Sequence, residues 1–215
     1  RFMAHALRLA ERGLFTTTPN PRVGCVIVRD GVIVGEGWHE RAGEAHAEIH
    51  ALRAAGERAR GATAYVSLEP CNHTGRTPPC TNTLIESGIK RVVAAMADPN
   101  PLVAGSGLQA LCGAGLETTV GLLEDEAREL NNGFVSRMTR GRPWLRLKVA
   151  ASLDGKTALN NGASQWITGE AARRDGHRWR ARSCGVLTGI GTVKDDDPQL
   201  TVRMAETALA TASRP

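Results

Sequence analysis

The chain has 215 residues, 41% hydrophobic and 23% charged, with a net charge of +5. That composition suits a folded globular protein of one large or two modest domains. No apolar run approaches the roughly 18 residues of a membrane span, and Arg1 to Leu14 lacks the uninterrupted apolar stretch of a signal peptide. The basic residues are dispersed rather than massed on one element, so nucleic acid is not the expected partner and a phosphate-bearing small molecule is. Five cysteines, an odd number, without a secretion signal argue against a disulfide framework and for a reducing, cytoplasmic setting. Cys25, Cys112 and Cys184 read as small buried hydrophobes. The first residue is Arg rather than Met, which points to a trimmed chain.

Taken in chain order, Arg1 to Arg12 places Phe2, Ala6, Leu9 and Ala10 at helical spacing ahead of Gly13. Thr16 to Pro21 is a Pro/Asn loop. Val23 to Val28 and Val32 to Gly37 form a hairpin about Asp30-Gly31, a strong turn pair. A helix follows over His46 to Arg58, then a strand over Ala62 to Leu68, a helix over Thr81 to Ser87 and a strand over Arg91 to Met96. Gly107 to Leu111 reads as a short helix, Leu116 to Val120 as a strand, and Glu124 to Met138 as one amphipathic helix. This order predicts an α/β fold, a mixed sheet with helices on both faces. The composition changes at Thr139 to Pro143, and Trp144 to Ala151 reads as a strand opening a second domain. The expected domains are therefore 1–140 and 141–215. An exposed edge of the first hairpin, or of a shortened second sheet, would favour self-association into a homo-oligomer.

The chemistry concentrates in three pieces: His46-Ala47-Glu48, Pro70-Cys71 and Cys80. One imidazole and two thiolates make the three protein ligands of a catalytic Zn²⁺, whose fourth position is kept for water. Glu48 is the carboxylate that could carry protons. Residues two apart on a helix do not share a face, so His46 and Glu48 can converge only on an ion beyond the helix mouth, with the helix starting near Ala45. The positive end of the helix dipole there favours thiolate. The Cys71 segment, following a strand, is expected to offer a second helix mouth. His-x-Glu followed by Pro-Cys and a second Cys is the signature of the zinc deaminases, here with eight residues between the cysteines, among them His73 and Arg76. A structural zinc closed by His50 or His73 remains the competing reading, as does a nucleoside or RNA deaminase of the same superfamily.

A longer set of motifs narrows this. Thr18-Pro19-Asn20-Pro21-Arg22-Val23-Gly24, His39, His46-Ala47-Glu48, Leu68-Glu69-Pro70-Cys71 and Gly75-Arg76-Thr77-Pro78-Pro79-Cys80 resemble the bifunctional deaminase–reductase family of riboflavin biosynthesis. So do Leu147 to Lys156, Ser164-Gln165-Trp166-Ile167-Thr168 and Asp195 to Arg203. The resemblance implies a cytidine-deaminase-like three-layer domain followed by the start of a dihydrofolate-reductase-like domain. It also implies hydrolytic deamination of a diaminopyrimidinone carrying a ribosylamino 5-phosphate, then NADPH reduction of its ribosyl group to ribityl. By resemblance, Asn20, His39, His73 and Arg76 hold the deaminase substrate. Lys148, Ser164, Arg180, Leu200 and Arg203 hold the reductase substrate, and Ala150, Trp166, Thr168, Thr192 and Asp196 contact NADPH. From the residues alone, Asn20 could equally hold a Pro-Asn-Pro turn, Arg180 lie on a solvated helix face, and Trp166 pack in a core. The family's reductase domain continues well past Pro215, so a truncated sheet is expected, and Met204 to Pro215 reads as a small-residue surface chain.

Overall fold

The apolar runs at residues 25–28 and 92–94 are buried along their whole length, as strands covered on both faces require. A computed structural model describes residues 1–74, 78–101 and 103–204, and the chain divides into two compact units, one from Arg1 to Trp144 and another beginning at Leu145. In the first unit, α1 (Phe2–Glu11) precedes the hairpin β1 (Gly24–Arg29) and β2 (Val32–Trp38). Asp30 and Gly31 both take positive φ, 51° and 76°, the conformation of the tight turn that Asp-Gly favours. There follow α2 (Ala47–Ala55), a 3-10 turn, β3 (Thr63–Val66), α3 (Cys80–Glu86), β4 (Arg91–Ala94), α4 (Ser106–Gly113) and β5 (Glu117–Val120). The unit closes with α5 (Glu124–Leu130) and α6 (Asn132–Arg140).

The five strands lie in the order β2-β1-β3-β4-β5, with β1 antiparallel to both neighbours and β3, β4 and β5 parallel. On one face Cys25, Ile27, Ala64, Val66 and Val92 meet Ala47, Ala51 and Leu52 of α2, Leu84 of α3 and Leu111 of α4. On the other, Val26, Val28 and Val93 meet Met3, Ala6, Leu7 and Leu9 of α1 and Ala127 of α5, with Phe134 and Val135 of α6 beside them. This is the expected three-layer arrangement. It draws α2 unusually close to β2: a methyl group on Gly37 would stand 2.5 Å from His50 Cβ and 2.6 Å from the Ala51 nitrogen. Only a residue without a side chain lets the helix backbone rest there.

Three expectations change. The helix expected over Glu124 to Met138 is two helices: the buried Asn131 between them leaves the helical conformation, at φ −114° and ψ 21°, and its side chain bonds the Arg22 backbone. Cys112 and Cys184 are exposed, and of the three cysteines outside the metal motif only Cys25 is buried. In the second unit the described residues form α7 (Glu170–Ala181) and α8 (Ile190–Asp196) but no strand. The strand expected over Trp144 to Ala151 is absent, and Leu145 and Leu147 are 81% and 85% exposed. A strand needs a neighbour to take up its N–H and C=O groups, and none of the described residues supplies one. The tail expected from Met204 onward lies outside the described residues after Met204 itself. Among the described residues no helix is long and apolar enough to cross a membrane.

Candidate metal centre

His46 is the residue before α2, extended at φ −76° and ψ 162°, so the helix starts two residues later than expected. This resolves the spacing problem. The imidazole departs from the cap while Glu48, in the first turn, points from the helix proper. Cys71 follows the end of β3, and Cys80 opens α3. No helix begins at Cys71, so the second helix mouth at the site belongs to Cys80, whose backbone N–H reaches the Cys71 sulfur at 3.4 Å. His46 Nδ1 stands 3.2 Å from the Cys80 sulfur and 3.5 Å from the Cys71 sulfur.

The ligand atoms of His46, Cys71 and Cys80 lie within 4.8 Å of one another and form a metal-binding group of three among the described residues. A tetrahedral Zn²⁺ with bonds of about 2.0 Å to nitrogen and 2.3 Å to sulfur spaces its donors roughly 3.5 to 3.8 Å apart. The donor set, one imidazole and two thiolates, and its spacing both fit that ion. Neither His50 nor His73, the residues considered for a fourth ligand, joins the group; His73 is exposed. Among the described residues the group therefore offers three donors.

The electrostatics follow from the same proximity. The Cys71 thiol is pulled down to about 4, first by the hydrogen bond from Cys80 and then by His46. Cys80 is pushed well up by serving as that donor and by burial. His46 is raised, chiefly by its bond to Cys71. Glu48 is 3% exposed; burial pushes its carboxyl upward, opposed by His46 and by a hydrogen bond from Cys80. A carboxyl beside the ligands that holds its proton above the usual range is suited to passing protons near neutral pH.

The substrate residues expected for this domain divide. His39 is buried, with its ring 5.5 Å from that of His46 and edge-on to it. Its Nδ1–H donates to the Ala45 carbonyl at 3.1 Å, leaving Nε2 to accept from the Asn20 amide at 3.2 Å. Burial lowers its pKa, consistent with that neutral tautomer. Asn20 is thus joined to the wall of the centre. His73 stands on the Cys71–Cys80 loop near Asp98, and Arg76 lies outside the described residues.

In the second unit, Arg180 donates to the carbonyls of Gln199 (3.5 Å) and Thr201 (3.2 Å), and Arg203 donates to Gln199 at 2.8 Å, which gathers Arg180, Leu200 and Arg203 around one turn of chain. Trp166 is 71% exposed, not packed in a core, and lies under the Arg173 guanidinium, which also bonds the Thr168 carbonyl. Lys148, Ser164, Thr192 and Asp196 are exposed and Ala150 half-buried; no hydrogen bond joins them to these groups.

Two residues were given no role from the sequence. Glu69 is a buried carboxylate two residues before Cys71. Asn131 accepts from the Arg22 N–H at 2.8 Å and donates to the Arg22 carbonyl at 3.0 Å, pairing with the loop that carries Asn20 as a neighbouring strand would. Arg137 adds a bond to the Pro19 carbonyl. A carboxylate at the end of an apolar strand was a visible signal for Glu69; Asn131 offered none.

A three-layer domain with a His-Cys-Cys group and a buried Glu beside it has the arrangement of the zinc deaminases. Residues 1–96 match the cytidine and deoxycytidylate deaminase zinc-binding region, and residues 143–214 match the RibD C-terminal domain. Over the part it spans, the chain is similar to the RibD riboflavin biosynthesis proteins. It is 62% identical to the riboflavin biosynthesis protein RibD of Escherichia coli over 205 residues, 95% of this chain and 56% of that one. The Haemophilus influenzae RibD is 58% identical, covering 95% and 55%. Acinetobacter baumannii RibD superposes with a TM-score of 0.90 at 58% identity, over 94% of this chain and 57% of that one. A Thermotoga maritima diaminohydroxyphosphoribosylaminopyrimidine deaminase/5-amino-6-(5-phosphoribosylamino)uracil reductase gives 0.90 at 46% identity, over 95% and 59%. The chain spans little more than half the length of these relatives.

Proposed function

We propose that residues 1–140 catalyse the hydrolytic deamination of 2,5-diamino-6-ribosylaminopyrimidinone 5'-phosphate, and that residues 141–215 are the first part of a reductase that uses NADPH to convert the ribosyl group of the product to ribityl. The observation that carries the reading is the three-ligand centre with the buried Glu48 carboxyl against it. A closed structural zinc has no position for a reactant and no use for a proton carrier.

Zinc held by His46, Cys71 and Cys80 supplies a Lewis acid that makes water a nucleophile near neutral pH. In the reaction the water oxygen bonds to the ring carbon bearing the amino group, the C–N bond breaks, and the nitrogen leaves as ammonia. Glu48 takes one proton from the water and passes it to the ring nitrogen, then takes the second from the newly added hydroxyl and delivers it to the departing amine. The Asn20 amide, oriented through His39 and the Ala45 carbonyl, addresses a polar edge of the pyrimidine. His73 and Arg76, on the long loop between the cysteines, suit the phosphate. In the second unit Lys148, Ser164, Arg180, Leu200 and Arg203 are assigned to the phosphorylated product, and Ala150, Trp166, Thr168, Thr192 and Asp196 to NADPH.

The test is ammonia release from the aminopyrimidine ribosyl phosphate by the zinc-loaded chain, with NADPH then added and its absorbance followed. Ammonia release supports the first assignment, and NADPH oxidation that depends on the deaminated product supports the second. Zinc-loaded protein that releases no ammonia would refute the deaminase reading.

A further inference from the structure

Glu69 is 3% exposed and makes no ion pair among the described residues. Its carboxylate instead accepts four backbone N–H groups. Oε2 takes those of Asp98 and Gly105, each at 3.0 Å, and Oε1 those of Gly107 (2.9 Å) and Leu108 (3.2 Å). Gly107 and Leu108 belong to the first turn of α4, whose preceding residue, Gly105, carries no side chain to cap it. Glu69 therefore caps a helix from a distant part of the chain, where a negative charge also meets the positive end of the helix dipole. A side chain on Gly107 would run into the Pro70 carbonyl, so this turn rests directly on the segment leading to Cys71. The backbone N–H of Glu69 in turn donates to the Met96 carbonyl at 2.9 Å, continuing the pairing of β3 with β4.

From α4 the connection runs on to the other sulfur. The Asn72 amide donates to the Ser106 carbonyl at 3.4 Å and accepts from the Thr81 hydroxyl at 2.9 Å, and the Thr81 N–H donates to the Cys71 carbonyl at 3.2 Å. Thr81 is the residue after Cys80. One carboxylate thus anchors the loop after β4, the start of α4, and through Asn72 the relative placement of both cysteine segments.

We propose that Glu69 is a positioning residue of the metal centre: by accepting four backbone N–H groups it fixes the two cysteine sulfurs at the separation a tetrahedral ion requires. Metal chemistry needs ligands held in place by their surroundings, and loss of such support typically costs about 10- to 100-fold in metal affinity. In Glu69→Gln an NH₂ group faces two N–H donors that it cannot accept, while shape and volume are kept. Glu69→Asp keeps the charge but withdraws it by one methylene.

The proposal rests on His46, Cys71 and Cys80 being zinc ligands, and the experiment separates the two ideas. Zinc affinity is measured by chelator competition on the full chain and its Glu69→Gln, Glu69→Asp and Asn72→Ala variants. Ligand geometry is read from the visible absorption of the Co²⁺-loaded proteins. We expect zinc binding at least tenfold weaker in Glu69→Gln, with altered Co²⁺ bands, and partial recovery in Glu69→Asp. Asn72→Ala changes an exposed side chain, so the variant keeps its fold; it is expected to weaken zinc binding several-fold without a change in the melting temperature of the metal-free protein, and it carries the test if Glu69→Gln does not fold. Wild-type protein that binds no zinc would sink the ligand assignment itself. Folded variants with wild-type zinc affinity and wild-type Co²⁺ spectra would show that Glu69 only stabilises the fold, and would overturn the proposal.

Discussion

Chelation of the metal exposes the acid–base chemistry of the ligands. Because Cys80 donates to Cys71 and His46 lies beside both, the thiol pair should lose its first proton in acid, at about 4, and keep its second through neutrality. At pH 6 a group with a pKa of about 4 is ionised by roughly 100 to 1, whereas an ordinary thiol near 8.5 is ionised at about 1 in 300. Ultraviolet absorbance of thiolate in the metal-free chain, titrated from about pH 3 to pH 7, should rise by one thiolate per chain. Replacing Cys80 with Ala removes the donor and should move that step upward. Zinc then has one thiol proton to displace near neutrality, that of Cys80, and also the His46 proton once the pH falls below that group's raised pKa. As the pH is lowered, affinity should fall tenfold per unit above the His46 pKa and approach a hundredfold per unit below it. For the metal-free fold, the depressed Cys71 contributes stability that is full above the unfolded thiol value and lost as the pH falls toward about 4. Glu48, with its pKa raised, contributes oppositely: its stabilisation is present below the unfolded carboxyl value and lost as the pH rises through the folded one. Metal-free protein that shows no thiolate step below pH 7 would refute this account of the ligand cluster.

Gly37→Ala places a methyl group 2.5 Å from His50 Cβ and should destabilise the protein by about 1 to 3 kcal/mol, measured as a lowered urea midpoint with an unchanged denaturant slope. Asn131→Leu removes two hydrogen bonds to the Arg22 backbone and should cost about 1 to 3 kcal/mol in total. If Asn131 also seats the Asn20 loop, KM for the aminopyrimidine phosphate should rise more than kcat falls; a stability loss with unchanged KM would confine Asn131 to the fold.

The first domain was legible because local and global signals agree there. The apolar runs and the Asp-Gly turn form the strands and hairpin expected of them, and element ends shift by up to three residues. The ligand set was legible because its chemistry constrains residue type and order. What stayed hidden depends on distant chain. Asn131 breaks a run with good helical periodicity because its carboxamide pairs with Arg22, 109 residues away. Glu69 works through backbone groups 29 to 39 residues downstream, which no spacing rule encodes. The strand expected at Trp144 to Ala151 had the right pattern, but a strand is completed by its neighbour, and the described residues of the second unit offer none.

Glu48→Gln bears most directly on the central claim, with zinc content and ammonia release measured on the same preparation. The substitution keeps shape and volume and leaves the three ligands intact, while removing the group that passes protons. The account predicts full zinc occupancy with ammonia release from the aminopyrimidine ribosyl phosphate reduced by about 10²- to 10⁴-fold. Zinc-loaded Glu48→Gln that deaminates at the wild-type rate would contradict it.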